Sequence, residues 1–130
     1  FGSRLNDTQL TGVLTAGTVV CGRPGAAYPG ASTDRWQEEH VVGGQLIDYK
    51  LGPGHATDPR EPVGTWAISG NGSNTVITHT YGASAFVWSV HGPNTNTPGI
   101  SVYSFCSGGQ EFARAYVLVS SSGCGGNYPA

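Results

Sequence analysis

Trp36-Gln37-Glu38-Glu39-His40-Val41-Val42-Gly43-Gly44-Gln45-Leu46-Ile47-Asp48-Tyr49-Lys50-Leu51 is the stretch on which the reading of the fold turns. Two runs, Trp36–Val42 and Gln45–Leu51, flank Gly43-Gly44. Adjacent glycines supply the positive φ angles of a tight two-residue loop, so the stretch predicts a hairpin of antiparallel strands. Period-two patterning continues on both sides. Upstream, Thr18-Val19-Val20-Cys21 reads as a strand. It follows a segment in which Leu10, Val13 and Leu14 stand at helical spacing behind Asn6-Asp7-Thr8, which predicts one short helix. Downstream, Val63–Ser69 sets Val63 and Thr65 against Trp66 and Ile68, and Gly70–Asn74 turns the chain back into Thr75–Tyr81. Ala85–His91 aligns Phe86, Trp88 and Val90 on one face. Ile100–Cys106 follows, then Glu111–Ser120 with Ala113, Ala115, Val117 and Val119 together.

About eight strands at intervals of roughly a dozen residues, joined mostly by short turns, make an all-β antiparallel meander. Closure as a small barrel and folding as a sandwich give the same alternation, so both stay open. The expected organisation is one domain over 1–130: a leader segment at 1–17 holding the helix, the meander at 18–120, and a glycine-rich tail at 121–130.

Composition narrows the class. A chain of 130 residues suits one hydrophobic core. Its apolar fraction is only 38%, but three Trp, six Tyr and four Phe give that core bulk. Charged residues are 11% of the chain, against about 25% in an ordinary soluble domain, and 21 glycines exceed the usual share of about 7%. Low charge and many turns point to a protein of the cell envelope or exterior. A net charge of −2 with six scattered Lys and Arg gives no footing for nucleic acid or an anionic membrane surface. No run of about 18 apolar residues exists, so membrane insertion by a helix is not expected. A first residue of Phe1 rather than Met reads as a mature chain after signal-peptide removal.

Cys21, Cys106 and Cys124 lack zinc-site spacing, and in an exported protein they predict one bridge and one spare thiol. Cys106 with Cys124 is the expected pair, because it closes the shorter loop, worth roughly 3 kcal/mol. Cys21 is then the spare thiol, buried as a small hydrophobe or linked to another chain.

Leu10-Thr11-Gly12 with Leu14, Gly17-Thr18-Val19, Val63-Gly64-Thr65-Trp66 and Tyr103-Ser104-Phe105-Cys106 occur in that order. The series resembles small exported bacterial proteins in which a leader helix precedes a lipocalin-like or avidin-like β-meander and Gly-Thr-Trp marks a central strand. The resemblance implies an exported barrel and assigns no activity. The long Gly22–Asp34 and Gly52–Pro62 loops depart from it.

Trp36-Gln37-Glu38-Glu39-His40 is the densest polar cluster. Strand alternation puts Glu38 and His40 on one face, where a carboxyl and an imidazole can share a proton. The plainer expectation is a solvated hairpin face anchored by Trp36. His79, in Val76-Ile77-Thr78-His79-Thr80, also resembles the strand that carries the catalytic His of small secreted guanyl-specific ribonucleases. That resemblance would pair it with Glu38 or Glu61 as base and with Arg60. His55, Asp58 and His91 lack the local spacing of metal ligands, so no metal site and no cofactor are expected. Trp66, Trp88, Tyr81 and Tyr103, with Tyr49 and Phe105, are candidates to line a ligand cup at a barrel mouth, or simply to form the core.

Three functional expectations follow. The leading one is a non-enzymatic, self-assembling extracellular subunit whose partners are copies of itself, joined through an exposed edge strand or the N-terminal segment. The alternative is a barrel binding a small molecule or glycan. Such a barrel should be closed, with Trp66 or Trp88 facing a cavity. The third is a small secreted hydrolase centred on His79, or on Glu38 and His40.

Overall fold

The computed structural model of the chain describes residues 2–14, 18–28, 34–41, 43–49, 61–97, 100–119, 124 and 128–129. The helix α1 spans Asp7–Val13. It starts where expected because Asn6 accepts from the Gln9 backbone N–H while the Gln9 side chain accepts from Asn6 N–H, a reciprocal cap. Eight strands follow: β1 (Thr18–Pro24), β2 (Trp36–His40), β3 (Gln45–Tyr49), β4 (Glu61–Ser69), β5 (Val76–Tyr81), β6 (Ser84–Thr97), β7 (Ile100–Ser107) and β8 (Gln110–Val119). Each pairs antiparallel with the next, and β8 pairs with β1, so the meander is a closed barrel rather than a sandwich.

The β2–β3 hairpin differs in one detail from its expected form. Gly43 and Gly44 do take φ of +91° and +94°. The closing pair, however, is Val41 with Gln45, and His40 lies opposite Leu46. The loop is therefore one residue longer than Gly-Gly alone, which sets Glu38 opposite Asp48.

Alternation places one set of side chains inside the barrel: Val20, Ile77, Trp88, Val90, Phe105, Ala113 and Ala115 form its buried core. Leu5, Leu10 and Leu14 belong to the same cluster, with Trp66, Ile68 and Val117 packed against it. The leader segment thus plugs one end of the barrel, pinned by Leu5 N–H to Val90 O at 2.8 Å and by Arg4 Nη2 to Thr75 O at 2.8 Å.

A second cluster lies on the outer surface, where Val19, Cys21, Val102 and Tyr116 are covered by Cys124 and Tyr128. This explains why β1 is buried on both faces. The disulfide forms here, and it corrects the expected pairing: Cys21 joins Cys124, their Cα atoms 5.9 Å apart, while Cys106 is the free, buried thiol. The reason is register. Gln37, Cys21, Tyr116 and Val102 form one row across β2, β1, β8 and β7, and Cys124 N–H donates to Gln37 Oε1 at 2.7 Å. Cys106 stands four residues further along β7, about 13 Å away and beyond the reach of a disulfide.

Two glycines admit bulky neighbours to the barrel wall. A β-carbon on Gly22 would overlap the Trp36 indole, and one on Gly64 would meet the Thr80 carbonyl and crowd the Tyr81 ring.

Candidate functional site

Alternation along β2 sends Glu38 and His40 into the barrel, where they lie opposite Val20 and Thr18 of β1. The expectation of a solvated hairpin face does not hold, because Glu38 is 9% and His40 0% exposed. Even the outward pair, Gln37 and Glu39, is buried, Gln37 beneath the C-terminal tail. β5 brings His79 and Tyr81 to the same interior, and β3 brings Asp48.

Glu38 accepts a hydrogen bond from the Tyr81 hydroxyl at 2.7 Å. Burial pushes its carboxyl up to about 7, with Asp48 adding to the rise and the Tyr81 hydrogen bond opposing it. Burial, together with the Glu38 charge and hydrogen bond, also pushes the Tyr81 hydroxyl up, so it remains a donor. Glu38 and Asp48 are directly opposed across the β2–β3 ladder, two carboxyl groups on one interior face.

His40 and His79 meet through their Nε2 atoms at 2.8 Å. The Trp88 indole, a donor only, reaches His79 Nδ1 at 3.1 Å. His79 must therefore accept at Nδ1 and carry its proton on Nε2, which it donates to His40 Nε2. That leaves the His40 proton on Nδ1, which makes no well-formed hydrogen bond. Burial lowers both rings: His40, also opposed by His79, to about 3, and His79 to about 4. Both are neutral at ordinary pH. The indole of Trp66 donates to Val41 O at 3.0 Å and packs edge-on to His40.

Ligand atoms of Glu38, His40 and His79 lie within 4.8 Å of one another, the reach of a metal centre. Local spacing could not reveal this trio, since β2 and β5 meet only through the barrel interior. The surroundings do not fit a metal. A coordinating imidazole needs an acceptor for its other N–H. His79 Nδ1 instead faces the Trp88 N–H, a donor. The trio is a hydrogen-bonded floor rather than a ligand set.

Above that floor lies a cavity of about 410 Å³. Tyr81, Phe86, Trp88, Phe105 and Phe112 give it aromatic walls, Ala113 and Ala115 leave it room, and Glu38, Asp48 and His79 supply its polar groups. At the rim Tyr28 stacks on Trp36 with ring centroids 5.6 Å apart and meets Phe112 edge-on at 5.1 Å. Asp34 and Arg35 complete the rim. Phe86, 43% exposed, stacks on Trp88 at 6.1 Å.

Of the aromatics expected to line a cup, Trp88, Tyr81 and Phe105 do so, whereas Trp66 and Tyr103 pack into the interior core. The side chain of Tyr49 lies outside the described residues, as do His55, Asp58 and Arg60. Glu61 is exposed at the start of β4, and both ring nitrogens of His79 are held by His40 and Trp88. Of the ribonuclease-like set, Glu38 lies beside His79, Glu61 is exposed on β4, and Arg60 lies outside the described residues. His91 sits apart from the cavity, its Nε2 3.0 Å from Ser89 Oγ. Sequence reading overlooked Asp48, Tyr28 and Phe112 as cavity residues. Asp48 was within reach of a register argument, because its place opposite Glu38 follows from the hairpin closure. Comparison with protein-family models, curated proteins and solved structures finds no match.

Proposed function

We propose that the barrel is a binding module for small organic molecules, taken into its open end in the manner of lipocalin-like and avidin-like barrels. The observation that carries this reading is the aromatic-walled cavity of about 410 Å³, within the usual range of ligand pockets. A residue chosen only to fill a core would not leave such a space, nor aim a buried carboxyl into it. The floor is rigid: Glu38 is held by Tyr81, and His79 by His40 and Trp88. Fixed polar groups at the base of an apolar cup orient a ligand without ordering cost at the moment of binding. Export fits the disulfide, since such bridges persist in oxidising compartments. No helix among the described residues is long and apolar enough to cross a membrane.

Self-assembly ranks behind binding because the β8–β1 pairing closes the barrel, and a closed ladder offers no edge for a neighbour's strand. The test is a fluorescent apolar dye titrated into the protein and into Ala115→Trp, which fills the cavity from β8. One-to-one binding that the tryptophan abolishes is expected. Absence of binding, or equal binding by both proteins, overturns the reading.

A further inference from the structure

The geometry points to an uncharged planar compound bearing a hydrogen-bond acceptor, of the kind an aryl ketone presents, as the ligand class of this cavity. The inference rests on the small-molecule reading and adds the polar contact that selects the ligand. Glu38 lines the cavity and is only 9% exposed. The Tyr81 hydroxyl donates to its Oε2 at 2.7 Å, and among the described residues no hydrogen bond reaches Oε1. A buried carboxyl with one oxygen unpaired lacks a partner, and the cavity is where that partner fits. The other donors of the floor are committed: the Tyr81 hydroxyl to Glu38, the Trp88 indole to His79, and the His79 ring to His40. Glu38 is the floor group left to meet a ligand.

Its neighbours decide whether it donates or accepts. Across the β1 ladder it meets Val20, and across the β3 ladder Asp48. His40 of β2 and His79 of β5 are neutral, and Tyr81 of β5 is the hydroxyl donor. The cavity residues of β6, β7 and β8 carry no titratable group. Tyr28, Asp34 and Arg35 stand at the rim, where Arg35 Nη1 donates to the Asp34 carbonyl at 2.7 Å. Among the described residues no cation pairs with Glu38, so burial keeps its proton in place up to about pH 7. With Tyr81 on Oε2, that proton belongs on Oε1, and the carboxyl donates to the ligand. A ketone oxygen completes the bond. A cation gains little from a carboxyl that holds its proton, and a carboxylate would enter beside Asp48. The walls suit a flat ring system: the Phe86 and Trp88 planes lie 4° apart, and Phe112 meets Trp88 at 4.6 Å.

The test is isothermal calorimetry on the intact protein with probes of one shape: 1-indanone, indane, 1-aminoindane and indane-1-carboxylate. At about pH 5.5 the ketone should bind about tenfold tighter than indane, which leaves the buried O–H unpaired, and tighter than the amine or the acid. Between about pH 5.5 and 8.5 ketone affinity should fall about 10- to 30-fold as Glu38 ionises, while indane affinity changes less. Ketone binding near about pH 7.5 should take up protons, visible in buffers of different ionisation enthalpy. Glu38→Gln carries an amide donor at every pH, so its ketone affinity should lose the pH dependence, and a thermal melt would show that it remains folded. If the ketone binds no tighter than indane at about pH 5.5, if its affinity rises with pH, or if the amine binds tightest, the acceptor assignment is wrong and the small-molecule reading stands. If no probe binds at either pH, both fall.

Discussion

Replacing Glu38 by glutamine should raise the stability of the protein by about 3 kcal/mol at about pH 8 and by only about 1 kcal/mol near pH 5. Glutamine keeps an acceptor for the Tyr81 hydroxyl, 2.7 Å away, but cannot ionise. The carboxyl it replaces is held at about 7 against an ordinary 4.5, first by burial and then by Asp48. A raised pKa means that the folded state keeps a proton which the unfolded chain releases. The corresponding stability is complete below 4.5 and is lost as pH rises through 7. At about 1.4 kcal/mol per tenfold, that interval gives the figure above. His40 and His79, at about 3 and 4, stay neutral across this range and do not blur it. They act on the acid side with the opposite sign. Their stability is present above 6.5 and drains away as the pH falls and the unfolded chain alone takes up protons. Wild-type stability should therefore rise to about pH 6.5 and then level off, because the last of the Glu38 loss offsets the last of the histidine gain, whereas the variant should go on rising to about pH 7.5. Urea unfolding of both proteins across about pH 5 to 9 measures this. A variant no more stable than wild type at about pH 8, or one more stable by the same amount at about pH 5 and pH 8, would refute the reasoning.

Three further outcomes are expected. Non-reducing peptide mapping should recover Cys21 linked to Cys124 with Cys106 free, and reduction should lower stability by about 2–5 kcal/mol because the bridge spans 103 residues. Leu10→Ala should cost about 2–5 kcal/mol in urea unfolding, since Leu10 is fully buried in the plug beneath the barrel core. Gly22→Ala should displace the Trp36 indole, which its methyl would overlap, costing about 1–3 kcal/mol and changing the near-ultraviolet dichroism.

The sequence made the strands legible because their side chains alternate against a single interior. Trp88 and Val90, and Ala113, Ala115 and Val117, each report the core-facing side, though Phe86 in the same alternation is 43% exposed, and the cap at Asn6 reports the helix start. Closure was not legible, since it depends on β8 meeting β1 and no local pattern encodes that pairing. The disulfide was misread for a related reason. Loop length favoured Cys106, but the tail returns to the outer face of β1, where Cys21 stands in the same row as Tyr116 and Val102.

The site shows how much one residue of register decides. A two-residue turn at Gly43-Gly44 would set Glu38 opposite Tyr49, whereas closure at Val41 and Gln45 sets it opposite Asp48. The first arrangement has one carboxyl, the second a pair. Glu38 and His40 were visible as a two-residue pattern on β2, but their burial was not, because a polar-rich strand ordinarily faces water. His79 and Trp88 reach them only through the barrel interior.

The most direct test of a ligand-binding cavity is a two-dimensional proton–nitrogen NMR titration with 1-indanone that follows the three tryptophan indole N–H signals. Trp36 and Trp88 line the cavity, while Trp66 packs into the interior core with its N–H on Val41 O, so it serves as an internal control. Saturable shifts at Trp36 and Trp88 with Trp66 unmoved are expected. Shifts at Trp66 alone, or none at any of the three, would contradict binding in the barrel.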